Sequence, residues 1–398
     1  MNSFEIGKEL TEVVLGIDVL ERTQPAEGSL LGGDGLVPAM VPTDKVSARK
    51  YTDRDAIKAD LTRLEKEAAA LPAGPRQVFL QGMLKSLRVA VKMLSGSSPS
   101  FEEKVTDLVG APAGREDAAL IEDARSRVDT LLTKAGFVTG SLGQRVETWE
   151  AARAIAPEKV VAVFRELMVE AKARTDKLIF NTGDYDIAVN PVRDQYYTAR
   201  CSFNDGKMDL NMDLSFTRAA LKHLVCHEVY PGHSTQLLST AEAVADGKSP
   251  FDALLITTDA ITGCVQEGIG DQGVHLIDFM EDDDDEIHSE LRRVRSAAQT
   301  SAAWMLMVEG LPREDVANYL RNVAMGQEAW VQGRLRMAAH PFRGPFISSY
   351  WAGNESVRRV RERVTKAQWP IFLEALYENA NSPQSLEMFP QTVIEKAV

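Results

Sequence analysis

The chain has 398 residues, of which 44% are hydrophobic and 26% charged, and its formal net charge is −13. This composition is typical of a soluble globular protein with a sizeable core. The negative charge argues against nucleic acid or an anionic membrane as the main partner. The sequence contains neither a long apolar run nor a secretion signal, so we expect a cytoplasmic protein with no membrane partner.

The three cysteines, Cys201, Cys226 and Cys264, are scattered and include no C-x-x-C pair. This sparse, odd count predicts neither a disulfide framework nor a thiolate zinc site. Cys226 directly precedes His227, but on a helix it would point about 100° away from that histidine. We therefore interpret Cys226 as a buried packing residue.

Helical periodicity dominates the first part of the chain after an opening rich in glycine. The first 40 residues contain Gly28, Gly32, Gly33 and Gly35, and we expect them to be partly irregular. Apolar residues at three-to-four spacing then predict helices over residues 53–71, 74–94, 116–135 and 157–179.

The sequence pattern changes between residues 181 and 214, where short stretches rich in β-favouring residues replace the helical periodicity. Residues 186–189 and 196–203 favour strands, Asn204-Asp205-Gly206 is a strong turn signal, and residues 207–214 alternate polar and apolar side chains. Two strands joined at Asp-Gly predict a β-hairpin with one solvated face.

Helical patterns return after the hairpin and continue to the end of the chain. They predict helices over residues 216–230, 234–245, 252–268, 286–309, 313–325, 327–339, 348–367 and 370–379. The acidic run at 281–286 lacks the ligand spacing and glycine of an EF-hand loop, which favours a solvated loop or a helix start over a calcium site.

The predicted fold is therefore mainly α, with a small antiparallel hairpin near the site described next. We expect a helical region at 1–180 and a catalytic region at 181–398, which could also form one continuous domain.

The string His227-Glu228-Val229-Tyr230-Pro231-Gly232-His233 carries the strongest chemical signal. In the familiar H-E-x-x-H helix, two histidines bind zinc and the glutamate acts as general base. Here the histidines are six positions apart, which on an unbroken helix would rotate them by about 240°. Pro231 and Gly232 can interrupt the helix and bring His233 back beside His227. We predict that both histidines bind Zn²⁺ and that Glu228 is the general base.

A third ligand is expected downstream, because catalytic zinc is held by three protein ligands and keeps one open position. Glu267 lies 34 positions after His233 (267 − 233) in an apolar helical stretch. Asp271, one turn later, is a candidate hydrogen-bond partner for a zinc-bound histidine. The alternatives are an ordinary helix-end charge for Glu267 and a plain surface carboxylate for Asp271.

These motifs resemble those of gluzincin-type zinc peptidases, and above all a large bacterial family long catalogued as a domain of unknown function. Members of that family carry H-E-x-x-P-G-H-x-x-Q, which matches residues 227–236, and an E-G-W-A-like motif, which matches residues 267–270. The resemblance extends weakly over residues 311–316 and 345–361. Ser234 replaces a frequent histidine, and Ile269-Gly270 replaces Trp-Ala.

The resemblance implies a zincin-like metallohydrolase fold and metallopeptidase-like chemistry. It also places the Y-x-x-G segment that contains Tyr350 near the site, so Tyr350 is our first candidate for stabilising the carbonyl oxygen during the reaction. Further candidates, from the segment 333–340, are Arg334, Arg336 and His340. The alternative is that these residues have no catalytic role: the arginines would lie on a helix surface, and the tyrosine would pack in the core.

The predicted function is hydrolysis of an amide bond in a short peptide or modified amino acid. An extended substrate could pair with residues 207–214 as an exposed edge strand, with Asn211 facing the cleft. Alternatively, the hairpin simply covers the helical core. The competing functions are a lyase or iron-dependent redox enzyme with the same ligands, and a binding protein that retains a fossil site. The oligomeric state is left open.

Overall fold

A computed structural model describes residues 1–23, 30–31, 35–195 and 198–390, and within them the chain is mainly helical. The helices of the described part are α1 (Ser3–Arg22), α2 (Arg54–Ala69), α3 (Pro75–Leu94), α4 (Phe101–Glu103), α5 (Ala118–Lys134), α6 (Leu142–Arg153), α7 (Val160–Leu178), α8 (Arg218–Glu228), α9 (His233–Ala245), α10 (Ile261–Leu276), α11 (Asp283–Met307), α12 (Arg313–Val323), α13 (Glu328–Ala338), α14 (Ser349–Arg363), α15 (Trp369–Tyr377) and α16 (Pro383–Glu387). Among the described residues, no helix is both long and apolar enough to cross a membrane.

Most predicted helices are confirmed to within a few residues. The first 40 residues, which were predicted to be partly irregular, also contain the helix α1. In α1, Asn2 and Glu5 form a reciprocal capping box. The apolar side chains along one stripe of this helix are fully buried, including Ile6, Leu10 and Val13. Of the glycines that suggested irregular structure, Gly28, Gly32 and Gly33 lie outside the described residues.

The helix that carries Glu267 begins later than its periodicity predicts. Residues 252–268 were expected to be one helix, but Phe251–Leu254 form a 3₁₀ turn and α10 starts at Ile261. Asp259 has a φ of +56° in the intervening segment, a conformation that interrupts a helix. Glu267 and Asp271 therefore both lie inside α10 rather than at a helix end.

The sheet contains β1 (Ala188–Val192), β2 (Ala199–Ser202) and β3 (Lys207–Asn211) in the order β1-β3-β2. The predicted hairpin is confirmed for β2 and β3, which pair antiparallel. β1 pairs parallel with β3, which the hairpin pattern did not predict. Tyr196 and Tyr197, part of the predicted second strand, lie outside the described residues.

The position of β3 contradicts its proposed use as an open edge. β3 is the central strand, so both of its backbone edges are paired. Its inward side chains, Met208 and Leu210, are fully buried in a cluster that includes Phe164 and Val225. The alternative prediction, a hairpin that covers the helical core, is the correct one.

The chain forms two compact units that alternate along the sequence. Unit 1 contains the described parts of residues 1–113, 235–269 and 352–398, and unit 2 contains those of residues 114–234 and 270–351. The boundary crosses α10 between Ile269 and Gly270. The predicted regions, 1–180 and 181–398, follow one another in the sequence, whereas each observed unit is assembled from separate segments that alternate with those of the other.

The acidic run begins α11, as one of its two interpretations predicted. The Asp282 side chain caps the helix by accepting a hydrogen bond from the Asp285 backbone N–H. Lys222 Nζ lies 2.5 Å from Asp285 Oδ2, and Lys134 Nζ lies 2.6 Å from Asp283 Oδ1. Acidic residues at a helix N-terminus are also favoured by the helix dipole.

Candidate metal centre

The last turn of α8 presents His227 and Glu228 at the point where the helix stops. Thr217 caps the beginning of this helix, and its final backbone bonds run from Val229 and Tyr230 to the carbonyl of Val225. His227 is buried, whereas Glu228 is half-buried. The histidine thus faces the interior, while the adjacent carboxylate reaches a more accessible region.

The interruption after α8 brings the second histidine beside the first. α9 begins at His233, and the imidazole rings of His227 and His233 are 4.9 Å apart between centroids at 84°. A ring nitrogen of each lies within 4.8 Å of the other. A Cβ atom on Gly232 would fall 1.7 Å from the His227 carbonyl oxygen, so only glycine permits this approach. Because α8 ends at Glu228, His233 is not rotated away from His227 as it would be on a continuous helix.

Asp271 on α10 lies directly behind His227. Its Oδ1 is 3.2 Å from His227 Nδ1 and 3.4 Å from His223 Nε2. Arg292 Nη2 donates a hydrogen bond to the same oxygen at 2.7 Å. The Asp271 side chain is 0% exposed, so one buried carboxylate oxygen joins three basic side chains.

Burial and charge act in opposite directions on Asp271. Burial alone would raise its pKa, but the positive charge of Arg292 and the close contacts with the rings of His223 and His227 outweigh it and hold the pKa well below the usual range. Burial, together with the nearby Arg292, lowers the pKa of His223 to about 4. At neutral pH, Asp271 is therefore a carboxylate and His223 a neutral imidazole.

Two groups of potential metal ligands share His227. The first consists of His223, His227 and Asp271, whose ligand atoms lie within 4.8 Å of one another. In this group the guanidinium of Arg292 already neutralises Asp271, and its charge would repel a divalent cation. The second group is built on His227 and His233, whose ligand atoms lie within 4.8 Å of each other, and it does not include Asp271.

Glu267 lies on the same helix as Asp271, four residues earlier. At Gly270, one residue before Asp271, a Cβ atom would be 2.8 Å from His227 Nδ1, so this face of α10 packs against the imidazole. Residues three and four apart share a helix face. The half-buried Glu267 is therefore one turn nearer the N-terminus on that face.

The surroundings of Glu228 include β2 and the first turn of α9. Ser234 Oγ donates a hydrogen bond to the Glu228 carbonyl at 3.2 Å and receives one from the Tyr185 hydroxyl at 3.1 Å. Cys201 Sγ on β2 is 3.7 Å from the same Ser234 oxygen. Burial, reinforced by the negative charge of Glu228, raises the pKa of Cys201 to about 12. Cys201 is therefore a neutral thiol and a poor metal ligand.

Tyr350 lies at the beginning of α14, next to the half-buried Arg334. Its ring packs edge-on against Phe346 with centroids 5.9 Å apart. Burial lowers the pKa of Arg334, and the nearby Tyr350 opposes that shift. The Arg334 guanidinium also stacks 5.7 Å from the centre of the Trp330 ring.

The remaining predicted substrate residues make local contacts. Asn211 Nδ2 donates to the Gln195 carbonyl at 3.0 Å, and Asn211 Oδ1 accepts from the Asp213 backbone at 3.0 Å, so this side chain shapes the turn after β3. His340 Nδ1 accepts backbone hydrogen bonds from Phe342 and Arg343 at 3.2 and 3.0 Å. Arg336 is exposed on α13. A substrate role for these residues stays a prediction.

Sequence reasoning missed His223 and Arg292. A signal for His223 was present, because it precedes His227 by four residues and so shares a face of α8. Nothing in the sequence pointed to Arg292, since its contact with Asp271 depends on how α11 packs in unit 2.

The comparisons with known proteins identify a shared fold and no function. No family model matches the chain, and no curated protein matches it significantly. A candidate lipoprotein of unknown function from Shewanella oneidensis matches with a TM-score of 0.55 at 14% identity, over 84% of this chain and 70% of that one. A candidate lipoprotein from Colwellia psychrerythraea matches with a TM-score of 0.54 at 13% identity, over 98% of this chain and 74% of that one. At such low identity these likenesses show that the chain is similar in fold to both proteins.

Proposed function

We propose that this protein is a zinc-dependent hydrolase that cleaves an amide bond in a short peptide or a modified amino acid. The observation that carries the proposal is the pair of imidazoles, His227 and His233, 4.9 Å apart between ring centroids, with Glu228 immediately adjacent in the chain. Two histidines and a glutamate are a typical ligand set for catalytic zinc. We assign the third ligand to Glu267.

A zinc ion at this position would lower the pKa of a bound water from near 16 to roughly 7 and polarise the substrate carbonyl. The contacts of His227 fit such an ion, because Asp271 faces its Nδ1 side and a metal would then bind through Nε2. The half-buried positions of His233 and Glu267 are compatible with access from solvent.

Glu228 is the proposed general base. Its carboxylate would accept a proton from the attacking water and return it to the leaving nitrogen. Tyr350 is our candidate for donating a hydrogen bond to the carbonyl oxygen as negative charge develops there.

The sheet offers a place for an extended substrate. With β3 in the centre, β2 is an outer strand of the described sheet, and its Cys201 is near enough to Glu228 for the two groups to interact electrostatically. A peptide could therefore extend along β2 by backbone hydrogen bonds, with its amide bond close to Glu228.

The Glu228→Gln substitution tests the proposed chemistry. Zinc-loaded protein should cleave members of a synthetic peptide and N-acyl amino acid library, and Glu228→Gln should lower kcat by about 10²- to 10⁴-fold because the base is lost. Zinc content, measured by atomic emission, should stay unchanged. Cleavage products are identified by mass spectrometry.

Glu242→Gln, on an exposed position of α9, is the matched control and should leave turnover intact. His233→Ala should abolish zinc binding. Full turnover by Glu228→Gln would refute the assigned base, and full zinc occupancy in His233→Ala would refute the ligand set. Preferential retention of iron by protein purified without added metal would favour a redox enzyme instead.

A further inference from the structure

A polar stripe on α11 faces α8 and ends at the candidate metal centre. Its members are Asp285, His288 and Arg292, spaced by three and four residues along one helix face. Asp285 pairs with Lys222 of α8, and the ring of His288 lies 5.5 Å from that of His223 between centroids. Arg292 extends the stripe to Asp271, with which it makes a hydrogen-bonded ion pair at 2.7 Å.

The contacts of Asp271 determine where hydrogens must reside on two histidines. A carboxylate accepts hydrogen bonds and cannot donate them. His227 Nδ1 and His223 Nε2 lie 3.2 and 3.4 Å from Asp271 Oδ1, and the facing carboxylate favours a hydrogen on each of these nitrogens over a lone pair, which its negative charge would repel. A neutral His227 with its hydrogen on Nδ1 has a free electron pair on Nε2, which is the form that binds a metal.

We infer that Arg292 is a positioning residue, which orients the Asp271 carboxylate so that it holds His227 in the Nδ1-protonated tautomer. His223 gives the same carboxylate a second N–H donor and prevents it from rotating away. The tautomer is a property of the metal-free protein, and only its consequence for zinc binding rests on the proposed function.

The bond from Arg292 is the strongest hold on this carboxylate because both of its partners are ionised. Hydrogen bonds with an ionised donor or acceptor are about twice as strong as neutral ones, and here the attraction between two full charges is added. Without Arg292, the buried Asp271 would lose an ion pair in which the charged atoms are 2.7 Å apart. Its oxygens could then reorient, and His227 could exchange its hydrogen between the two ring nitrogens.

The tautomer can be read directly from nitrogen chemical shifts. The chain has six histidines, so selective ¹⁵N-histidine labelling gives a long-range ¹H–¹⁵N spectrum with few signals. His227→Gln identifies the signals of His227. In the metal-free wild-type protein we expect a protonated Nδ1 and an unprotonated Nε2 on that residue, and in Arg292→Gln a mixture of both tautomers.

The control variants distinguish a specific effect of Arg292 on Asp271 from the effect of losing any ion pair on α11. Arg292→Lys keeps a positive charge and should retain most of the wild-type tautomer. Arg295→Gln, on the same helix, removes an ion pair between a partly buried arginine and Glu150 and should leave His227 unchanged. If Arg292→Gln does not fold, as judged by circular dichroism, Arg292→Met replaces it because it keeps the aliphatic stem.

Two results would overturn the inference: a wild-type His227 protonated on Nε2, or an unchanged His227 tautomer in the folded Arg292 variant. Zinc affinity, measured by chelator competition, should fall about 10- to 100-fold in Arg292→Gln. If wild-type protein binds no zinc, the proposed function fails, while the tautomer measurement still decides the role of Arg292.

Discussion

Two glycines allow backbone and side chains to meet closely around His227. Gly232 lets the chain pass the His227 carbonyl, and Gly270 gives the imidazole room against α10. Because a Cβ atom at Gly270 would lie 2.8 Å from His227 Nδ1, the smallest substitution there acts directly on the position of a proposed ligand. The metal centre thus depends on the absence of a side chain as well as on the presence of ligands.

Gly270→Ala should weaken zinc binding by tenfold or more because the added methyl group displaces His227 from Asp271. Overpacking of this kind also costs about 1–3 kcal/mol in the free energy of unfolding. Chelator competition and urea unfolding measure the two effects.

Gly333→Ala in α13 is the control, since a Cβ there meets nothing within 4 Å. It should leave zinc affinity unchanged and raise the free energy of unfolding by about 0.5–1 kcal/mol through helix propensity. Wild-type zinc affinity in Gly270→Ala would contradict the packing of His227 against α10.

At this scale, sequence reasoning succeeded where the physical cause was local. The proximity of His227 and His233 follows from Pro231 and Gly232, which lie between them in the chain. The contact between Arg292 and Asp271 has no local cause, so no pattern in the sequence could predict it.

Among the helices, the contact between α8 and α11 is held by a buried ion pair as well as by apolar packing. The side chains of Lys222 and Asp285 are 3% and 5% exposed, and their charged atoms are 2.5 Å apart. Burial raises the pKa of Asp285, and the charge of Lys222 opposes that effect. Removing the lysine would therefore leave the buried Asp285 carboxyl without this ion pair.

Lys222→Met should lower the free energy of unfolding by about 3–5 kcal/mol, the usual cost of breaking a buried pair by removing one partner. Lys134→Met is the matched control, because its pair with Asp283 at the same helix end is largely exposed and should contribute little to the free energy of unfolding. Urea unfolding followed by circular dichroism compares them. Equal losses in both variants would show that the burial of Lys222 has no energetic consequence.

Element prediction failed where tertiary contacts override local pattern. The β-branched stretch Ile256-Thr257-Thr258 continues the apolar spacing of a helix, yet Thr258 donates its backbone N–H to the Leu36 carbonyl at 2.8 Å. Similarly, β1 pairs in parallel with β3, although β2 lies between them in the sequence. No turn signal in the sequence predicts such a pairing. The hairpin itself was predictable because its turn at Gly206 is local.

Each compact unit contains one fully buried cysteine, which can report on the opening of that unit. Cys264 lies in unit 1 and Cys226 in unit 2, and both are 0% exposed. Burial raises the pKa of both thiols, so in the native state they are neither ionised nor accessible to a reagent.

Variants that retain only Cys226 or only Cys264 should react with a disulfide reagent at least about 10³-fold more slowly when native than when unfolded in urea. A variant that retains only the half-buried Cys201 should react at an intermediate rate. Absorbance of the released thiolate gives the rates. Rapid native labelling of one buried cysteine would contradict the compactness of the unit that contains it.

The interleaving of the two units constrains how the protein can be made. Unit 1 is assembled from residues 1–113, 235–269 and 352–398, so its first segment leaves the ribosome long before its last. Domains that are contiguous in sequence can fold during synthesis, but here α3 packs against α16, which follows it by more than 200 residues (383 − 94). The face of α3 that contacts α16 therefore stays uncovered until α16 has been synthesised. For the same reason, no single cut in the chain releases unit 1 as an intact fragment.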